Sequence, residues 1–271
     1  MRNMFLAGSI LLLGAAAFSL WGEIADRQYL QVHFLDMGQG DAILIQTPQG
    51  HDILIDGGPD EKVLEKLGKE MAPWNRDIEL MVLTHGEADH ISGLVGVLKA
   101  YEVKQVLWNK MEKETKVFAA FKSELEKEDA HVVEAEAGQE IRWGTDSALK
   151  VLLADKEASA FNDSSVVLLL EAPSFRVLLL GDITKAGERK LVSEGDLAVD
   201  VLKAAHHGSK TSSSRELLEA ARPRIAVISV GAENLYGHPA PEVLGRFAEY
   251  GIEVLRTDMQ GDISFRIPSS P

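Results

Sequence analysis

The stretch "MVLTHGEADH" (residues 81–90) places two histidines and two acids directly after an apolar run. The run at 80–84 predicts a buried strand, and the spacing at 91–101 predicts a helix. Ligands in α/β proteins commonly bind at strand ends that face a cleft, so we expect His85, Asp89 and His90 to converge there. Imidazole and carboxylate groups suit zinc or manganese. The alternative is a polar loop whose aspartate caps a helix.

Three further apolar runs end in residues of the same kind. Asp182 closes "VLLLGD" (177–182), His206 and His207 follow "VLKAA" (201–205), and His238 lies in "NLYGHPAPE" (234–242). An isolated buried carboxylate is costly, so Asp182 needs a partner. Side chains alternate between the faces of a strand, which predicts that only one of His206 and His207 points into the site. The sequence leaves open which one.

The remaining pattern alternates short apolar runs with amphipathic stretches. It predicts strands at 30–36, 42–47, 52–56, 80–84, 103–108, 165–172, 176–182, 199–205, 224–230, 252–257 and 262–267. It predicts helices at 61–71, 91–101, 184–193, 214–221 and 241–249, and a solvated amphipathic helix within 110–136. Two such halves without a linker favour one sandwich, with two sheets in the middle and helices outside.

The amino-acid composition limits the kinds of metal site and ligand that the chain can have. The 271 residues include no cysteine, which excludes disulfides and thiolate metal sites. The formal net charge of −14 does not attract nucleic acid by bulk electrostatics, so a phosphate backbone would need metal ions or a local basic patch.

The chain is expected to divide into residues 1–26, a membrane anchor or signal segment, and residues 27–271, the folded domain. Residues 3–22 carry no charge, Arg2 precedes them, and Glu23 and Asp26 follow. Twenty helical residues span about 30 Å, roughly a bilayer core. The charge bias predicts a single anchor in the cell membrane with the domain outside the cytoplasm. A cleaved signal, and hence a secreted protein, is the alternative.

Several motifs together resemble a known family. "LIDGG" (54–58), "THGEADH" (84–90), "LLGD" (179–182) and a later histidine resemble the metallo-β-lactamase fold. "FLDMGQGDAILIQ" (34–46), "NDSSVVLLL" (162–170), "LKAAHHGSKTSSS" (202–214) and "YGHPAPEVLGRF" (236–247) resemble more closely the extracytoplasmic hydrolase domain of ComEC-type competence proteins. The resemblance covers roughly residues 29–268. It implies an α/β fold, an αββα sandwich of two central mixed sheets with helices on both outer faces.

The resemblance also implies roles for individual residues. The metal ligands would be His85, Glu87, Asp89, His90, Asp182 and one of His206 and His207. Asp89, Lys210 and His238 would serve catalysis, with His238 as a late ligand or a proton donor. Residues placed beside the ligands to orient them would be Asp36, Asp41, Asp56 and Asn162; for Asp36 and Asp41, stabilisation of a turn is an equal alternative.

The chain departs from the usual H-x-H-x-D-H pattern, because Glu87 stands where the second histidine is expected. Asn162 and Asp163 stand near the place of the usual third-strand histidine. Oxygen ligands favour manganese or magnesium relative to zinc. The cofactor is therefore expected to be one or two divalent ions: Mn²⁺ or Zn²⁺, with Mg²⁺ as a further candidate.

The stretch "SKTSSS" (209–214) supplies hydroxyl and amide donors beside one lysine. Ser209, Lys210, Thr211 and Ser212 are candidates to hold a substrate phosphate. A serine-rich helix cap is the alternative.

These features favour a metal-dependent phosphodiesterase, foremost a nuclease that acts on DNA outside the membrane, with a separate DNA-channel protein as a candidate partner. A second hypothesis is a metallo-hydrolase of a small ester, lactone or β-lactam. A third, of another class, is a non-catalytic metal- or DNA-binding module.

Overall fold

A computed structural model describes residues 28–144, 147–193 and 195–268. The segment predicted as an anchor, residues 1–26, lies outside these ranges. None of the helices within them combines the length and the apolarity that a bilayer crossing requires.

One seven-stranded sheet is built mainly from the first half of the chain, in the order β16-β1-β2-β3-β5-β7-β8. The pairs among β16, β1, β2 and β3 are antiparallel, and those from β3 to β8 are parallel. Its strands are β1 (Tyr29–Phe34), β2 (Ile43–Gln46), β3 (Asp52–Ile55), β5 (Leu80–Val82), β7 (Gln105–Trp108), β8 (His131–Glu134) and β16 (Ile263–Pro268). β4 (Asp77–Ile78) and β6 (Glu102–Val103) pair separately.

The second seven-stranded sheet has the order β15-β14-β13-β12-β11-β10-β9. The pairs from β12 to β15 are parallel, and those from β9 to β12 are antiparallel. Its strands are β9 (Glu140–Trp143), β10 (Ser147–Leu153), β11 (Val167–Ala172), β12 (Phe175–Leu179), β13 (Val201–Lys203), β14 (Ile225–Ile228) and β15 (Glu253–Arg256).

The helices cover the outer faces of the two sheets. They are α1 (Lys62–Glu70), α2 (Ala88–Ala100), α3 (Lys116–Leu125), α4 (Lys185–Ser193), α5 (Arg215–Ala221), α6 (Pro241–Glu249) and the short α7 (Thr257–Gln260). Short 3₁₀ turns occur at Phe161–Ser164 and Ala205–Gly208.

Three apolar cores hold the four layers together. Val32, Val82, Leu168 and Val201 belong to the core between the sheets. A second core joins the first sheet to α1, α2 and α3, and a third joins the second sheet to α4, α5 and α6. Strands with an apolar residue on both faces are what a sheet buried on both sides requires. The predicted αββα sandwich of two mixed sheets is therefore confirmed.

The prediction for residues 110–136 is only partly right. α3 occupies Lys116–Leu125, but the end of this stretch forms the edge strand β8. β9 and β10 were not predicted. His131 and Val132 of β8 and Glu140 of β9 are exposed, so these edge strands lack the continuous apolar run that marks the central strands.

Candidate metal centre

The four sequence clusters meet at one end of the sandwich, between the two sheets. Asp56 follows β3, and His85, Asp89 and His90 lie between β5 and the first turn of α2. The "DGG" turn packs directly on α2: the Gly57 amide donates to the His90 carbonyl at 2.7 Å. A Cβ atom on Gly93 would lie 1.9 Å from the Gly57 carbonyl oxygen, so this close approach requires glycine.

Three buried histidines have one ring nitrogen tied to the protein. His90 Nδ1 donates to Asp56 Oδ2 at 2.7 Å, and His207 Nδ1 donates to the Ser229 carbonyl at 3.0 Å. The Thr84 hydroxyl donates to Asp56 at 2.6 Å and lies 3.1 Å from His85 Nδ1. The Nε2 atoms of all three rings are buried without a hydrogen-bond partner among the described residues. Fixing Nδ1 and freeing Nε2 is how proteins prepare histidine for a metal.

Two carboxylates face these free nitrogens. Asp182 Oδ1 lies 3.4 Å from His90 Nε2, and Asp182 Oδ2 lies 3.9 Å from His85 Nε2 and 3.7 Å from His207 Nε2. Asp89 Oδ2 lies 3.2 Å from His207 Nε2.

The donor atoms form overlapping sets that fit a divalent cation. His85, His90 and Asp182 form one triplet, and Asp89, His90 and His207 form another, each with ligand atoms within 4.8 Å of one another. A cation would satisfy the unpaired buried atoms, which otherwise carry a desolvation cost. The residues present therefore fit one divalent ion or two, with His90 Nε2 serving only one of them because His90 Nδ1 is bonded to Asp56.

The electrostatics of the cluster favour positive charge. Burial disfavours the charged imidazolium, yet Asp182 and Asp41 raise the pKa of His207 to about 10. Burial opposes ionisation of Asp182, but His207 and His90 hold its pKa well below its usual range. Burial and the neighbouring His90 lower the pKa of His85 to about 3, which keeps that ring neutral, as a ligand must be.

His206 and His207 both reach the site, contrary to the strand-alternation argument. β13 ends at Lys203, and both histidines lie in the following turn with positive φ angles of 51° and 52°. His207 is 1% exposed, whereas the His206 side chain is 29% exposed with Nε2 3.9 Å from Asp182 Oδ2. His207 is thus the buried member and His206 lines the opening.

A buried ion pair supports the cluster from behind. Lys203 Nζ donates to Asp41 Oδ2 at 2.7 Å, with side-chain exposures of 1% and 3%. Asp41 Oδ1 lies 3.5 Å from His207 Nδ1, and the Asp41 amide donates to the Asp89 carbonyl at 3.2 Å. Asp41 therefore touches both a histidine and an aspartate of the centre, while Asp36 caps the preceding turn by accepting from the Gly38 amide at 3.0 Å.

An open cavity of about 210 Å³ leads to the cluster. Its lining residues are Gln39, Glu87, Asp89, Asn162, Asp182, His206, His207, Tyr236 and His238. At about 30 Å³ per water molecule, this volume accommodates a divalent ion and one phosphate-sized group. A longer substrate must extend over the rim.

Glu87 lines this cavity but already has a partner. Its carboxylate pairs with Lys113, whose ammonium lies 4.7 Å above the Phe161 ring. Asn162 also lines the cavity, with Nδ2 3.5 Å from both ring nitrogens of His206. His238 has a buried Nδ1 without a partner in the described part of the chain.

The "SKTSSS" stretch lies beside the cavity and outside its lining. Thr211 Oγ1 is 2.9 Å from Ser209 Oγ and 3.4 Å from His206 Nδ1, and Lys210 is exposed. The Ser212 hydroxyl is fully buried and donates to the Ala205 and Ser209 carbonyls, so it has no hydrogen to offer a phosphate. Of the predicted phosphate group, Lys210 and Thr211 are exposed, whereas Ser209 is 5% exposed and its hydroxyl is bonded to that of Thr211.

Metal titration can distinguish the contributions of His206 and His207 to metal binding. We expect His207→Ala to weaken binding of the first divalent ion by at least about 100-fold, because it removes a buried Nε2, whereas loss of an outer partner costs about 10- to 100-fold. His206→Ala should weaken it much less. Isothermal titration of the EDTA-treated chain with Mn²⁺ and Zn²⁺ measures both; equal losses, or a larger loss for His206→Ala, would contradict the assignment.

Some residues around the metal centre were not identified as site residues from the sequence. Lys203 interrupts an apolar strand run, a signal that could have flagged a buried charge with a partner. Lys113 comes close to the site only through the fold, whereas Tyr236 lies two residues before His238 within a quoted motif and was not singled out as a site residue.

Comparison with known proteins places this geometry in context. Residues 35–232 match the metallo-beta-lactamase superfamily. The chain is 32% identical over 263 residues to ComE operon protein 3 of Bacillus subtilis (strain 168), covering 87% of this chain and 33% of that protein. It is 30% identical over 269 residues to competence protein ComA of Neisseria gonorrhoeae, covering 97% of this chain and 36% of that protein. It thus spans about a third of these relatives.

Among solved structures, the metallo-beta-lactamase fold protein YhfI from Bacillus subtilis superposes with a TM-score of 0.60. The match covers 88% of this chain and 99% of YhfI at 11% sequence identity, which supports the fold alone.

Proposed function

The chain belongs to the metallo-β-lactamase superfamily, and from that membership and its cluster of ligands we propose that it is a metal-dependent phosphodiesterase, foremost a nuclease on DNA outside the cytoplasmic membrane. One observation carries the proposal. The Nε2 atoms of His85, His90 and His207 converge unpaired on Asp182 beneath an open cavity. A purely structural polar core would satisfy these atoms internally.

The metal would be held by His85, His90, His207, Asp89 and Asp182, with Glu87 and His206 at the opening. When bound, one or two divalent ions would lower the pKa of water towards neutrality and neutralise charge that develops on phosphoryl oxygens. Mn²⁺, Zn²⁺ and Mg²⁺ are the candidates.

The protein's own groups fix the geometry for such a reaction. Asp56 and the Ser229 carbonyl hold the His90 and His207 rings in one orientation. His238 lines the cavity, and we assign to it the transfer of a proton to or from a substrate oxygen. Ser209, Lys210 and Thr211 lie beside the opening as donors for a neighbouring phosphate.

DNA is proposed as the substrate because two relatives carry competence-related names, ComE operon protein 3 and competence protein ComA. With a net charge of −14, the chain relies on cations and short-range contacts to hold a phosphate backbone. Residues 1–26 would anchor the domain outside the membrane, beside a separate DNA-channel protein.

The test is cleavage of labelled single- and double-stranded DNA and of bis-p-nitrophenyl phosphate by the full chain. We expect turnover with at least one of Mn²⁺, Mg²⁺ and Zn²⁺ and none with EDTA, because the free ligand atoms activate water only through a metal. Nitrocefin or lactone turnover without phosphodiester cleavage would favour the small-ester alternative. Stoichiometric metal binding without turnover of any substrate would favour a binding module.

A further inference from the structure

One aromatic residue of the cavity projects into solvent. Tyr236 lines the cavity and is 72% exposed, and its neighbour Leu235 is 98% exposed. Because Tyr236 lines the cavity and is exposed, its ring is accessible to a molecule bound at the metal centre.

The segment that carries them, the 231–238 loop, is held in place from within. Asn234 Nδ2 donates to the Gly231 carbonyl at 2.8 Å and to the His238 carbonyl at 2.7 Å, and the His238 amide donates back to Asn234 Oδ1 at 3.0 Å. The side chains at its tip are therefore presented before any ligand arrives, which lowers the entropy cost of binding.

A row of rings connects Tyr236 with the metal centre. The Tyr236 ring is nearly parallel to that of His238, with centroids 6.0 Å apart and an interplanar angle of 18°. The His238 ring lies 5.8 Å from that of His206, whose Nε2 is 3.9 Å from Asp182 Oδ2. Tyr236 thus lies two ring-to-ring steps from His206, the ring next to Asp182, and a flat group resting on Tyr236 would continue the same row.

We propose that Tyr236 forms a nucleobase-binding subsite, on which the base next to the scissile phosphate stacks; this rests on the proposed nuclease function. Base–aromatic stacking needs no positive charge and tolerates any base, which suits a chain with a net charge of −14. The ring can reach only an unpaired base, so the subsite favours single strands and frayed ends over intact duplex.

The test compares an oligothymidylate with an oligomer of equal length and phosphate content that carries no bases. Binding is followed by fluorescence anisotropy of the labelled strands on the metal-loaded full chain, over times too short for cleavage, and cleavage is followed on the same mixtures. The wild-type chain should prefer the base-bearing strand. Tyr236→Ala should raise the Kd and KM for the base-bearing strand about 10-fold. The Kd and KM for the baseless strand should not change. Tyr236→Trp should keep the preference.

The matched control is Trp74→Ala, which removes another exposed aromatic ring, 58% exposed, that lies outside the cavity lining. Trp74→Ala should change the Kd and KM of neither strand. A wild-type chain that binds both strands equally, or neither, overturns the subsite, as does a Tyr236→Ala loss that is equal for both strands. A base-dependent Kd that disappears in Tyr236→Ala without any cleavage in metal would sustain the subsite and reject the nuclease.

Discussion

Asp182→Ala is expected to lower metal-dependent turnover on the order of 10³-fold or more, the scale seen when a catalytic unit loses a member. Asp182 lies within 3.9 Å of the Nε2 atoms of His85, His90, His206 and His207. It belongs to two candidate ligand triplets, one with His85 and His90 and one with Asp41 and His207. Its loss also removes the negative charge that attracts a cation to these rings, so metal affinity should fall together with turnover.

The matched control for this variant is Asp52→Asn. Asp52 is also buried, but it lies at the opposite end of β3 from Asp56 and accepts hydrogen bonds from Gln46 and Asn75. It should keep full turnover. Steady-state rates, metal content and circular dichroism of both variants decide the outcome. A folded Asp182→Ala chain that retains a tenth of the activity would remove Asp182 from the centre.

The second large effect is expected on stability. Lys203→Met should lower the free energy of unfolding by about 3–5 kcal/mol, because it leaves the Asp41 carboxylate buried without its counter-ion. Asp41→Asn should cost a similar amount for the reverse reason. The double variant should lose much less than the sum of the two, since neither charge is then left alone.

Urea unfolding of the EDTA-treated variants measures these differences. Lys69→Met is the control: Lys69 pairs with Glu65 on an exposed face, with side-chain exposures of 59% and 65%, and its loss should leave stability unchanged. Additive losses at Lys203 and Asp41 would show that the pair is not coupled.

The same pair makes a pH-dependent contribution. Burial opposes ionisation of Asp41, but Lys203 and His207 hold its pKa below its usual range. The unfolded-state pKa of an aspartate is about 3.9. A depressed folded-state pKa gives stability that is present above that value and lost as the pH falls towards the folded-state pKa.

Much of this arrangement could be predicted, because both sheets are buried on two faces and their central strands appear as apolar runs. The clusters at His85, Asp182 and His207 were visible as polar groups that end such runs. The edge strands β8 and β9 were not, since their exposed residues dilute the apolar signal; the partly buried β10 beside them was missed as well.

The relation between His206 and His207 could not be predicted either. It depends on two consecutive left-handed residues, which follow from the turn and not from the strand period. The pairing of Lys203 with Asp41 joins positions 162 residues apart, a separation that local pattern does not encode.

The donors of the centre come from both halves of the sandwich. His85, Asp89 and His90 belong to the first sheet and its helix, whereas Asp182 and His207 extend from the second. An ion bound by both sets of ligands connects the two sheets. Because the ion binds only the folded arrangement, its occupancy increases the free energy needed to separate the sheets. At a free ion concentration of 100 times Kd this amounts to about 2.7 kcal/mol. At a low metal concentration we therefore expect both a loss of the proposed activity and a lower stability of the contact between the two sheets.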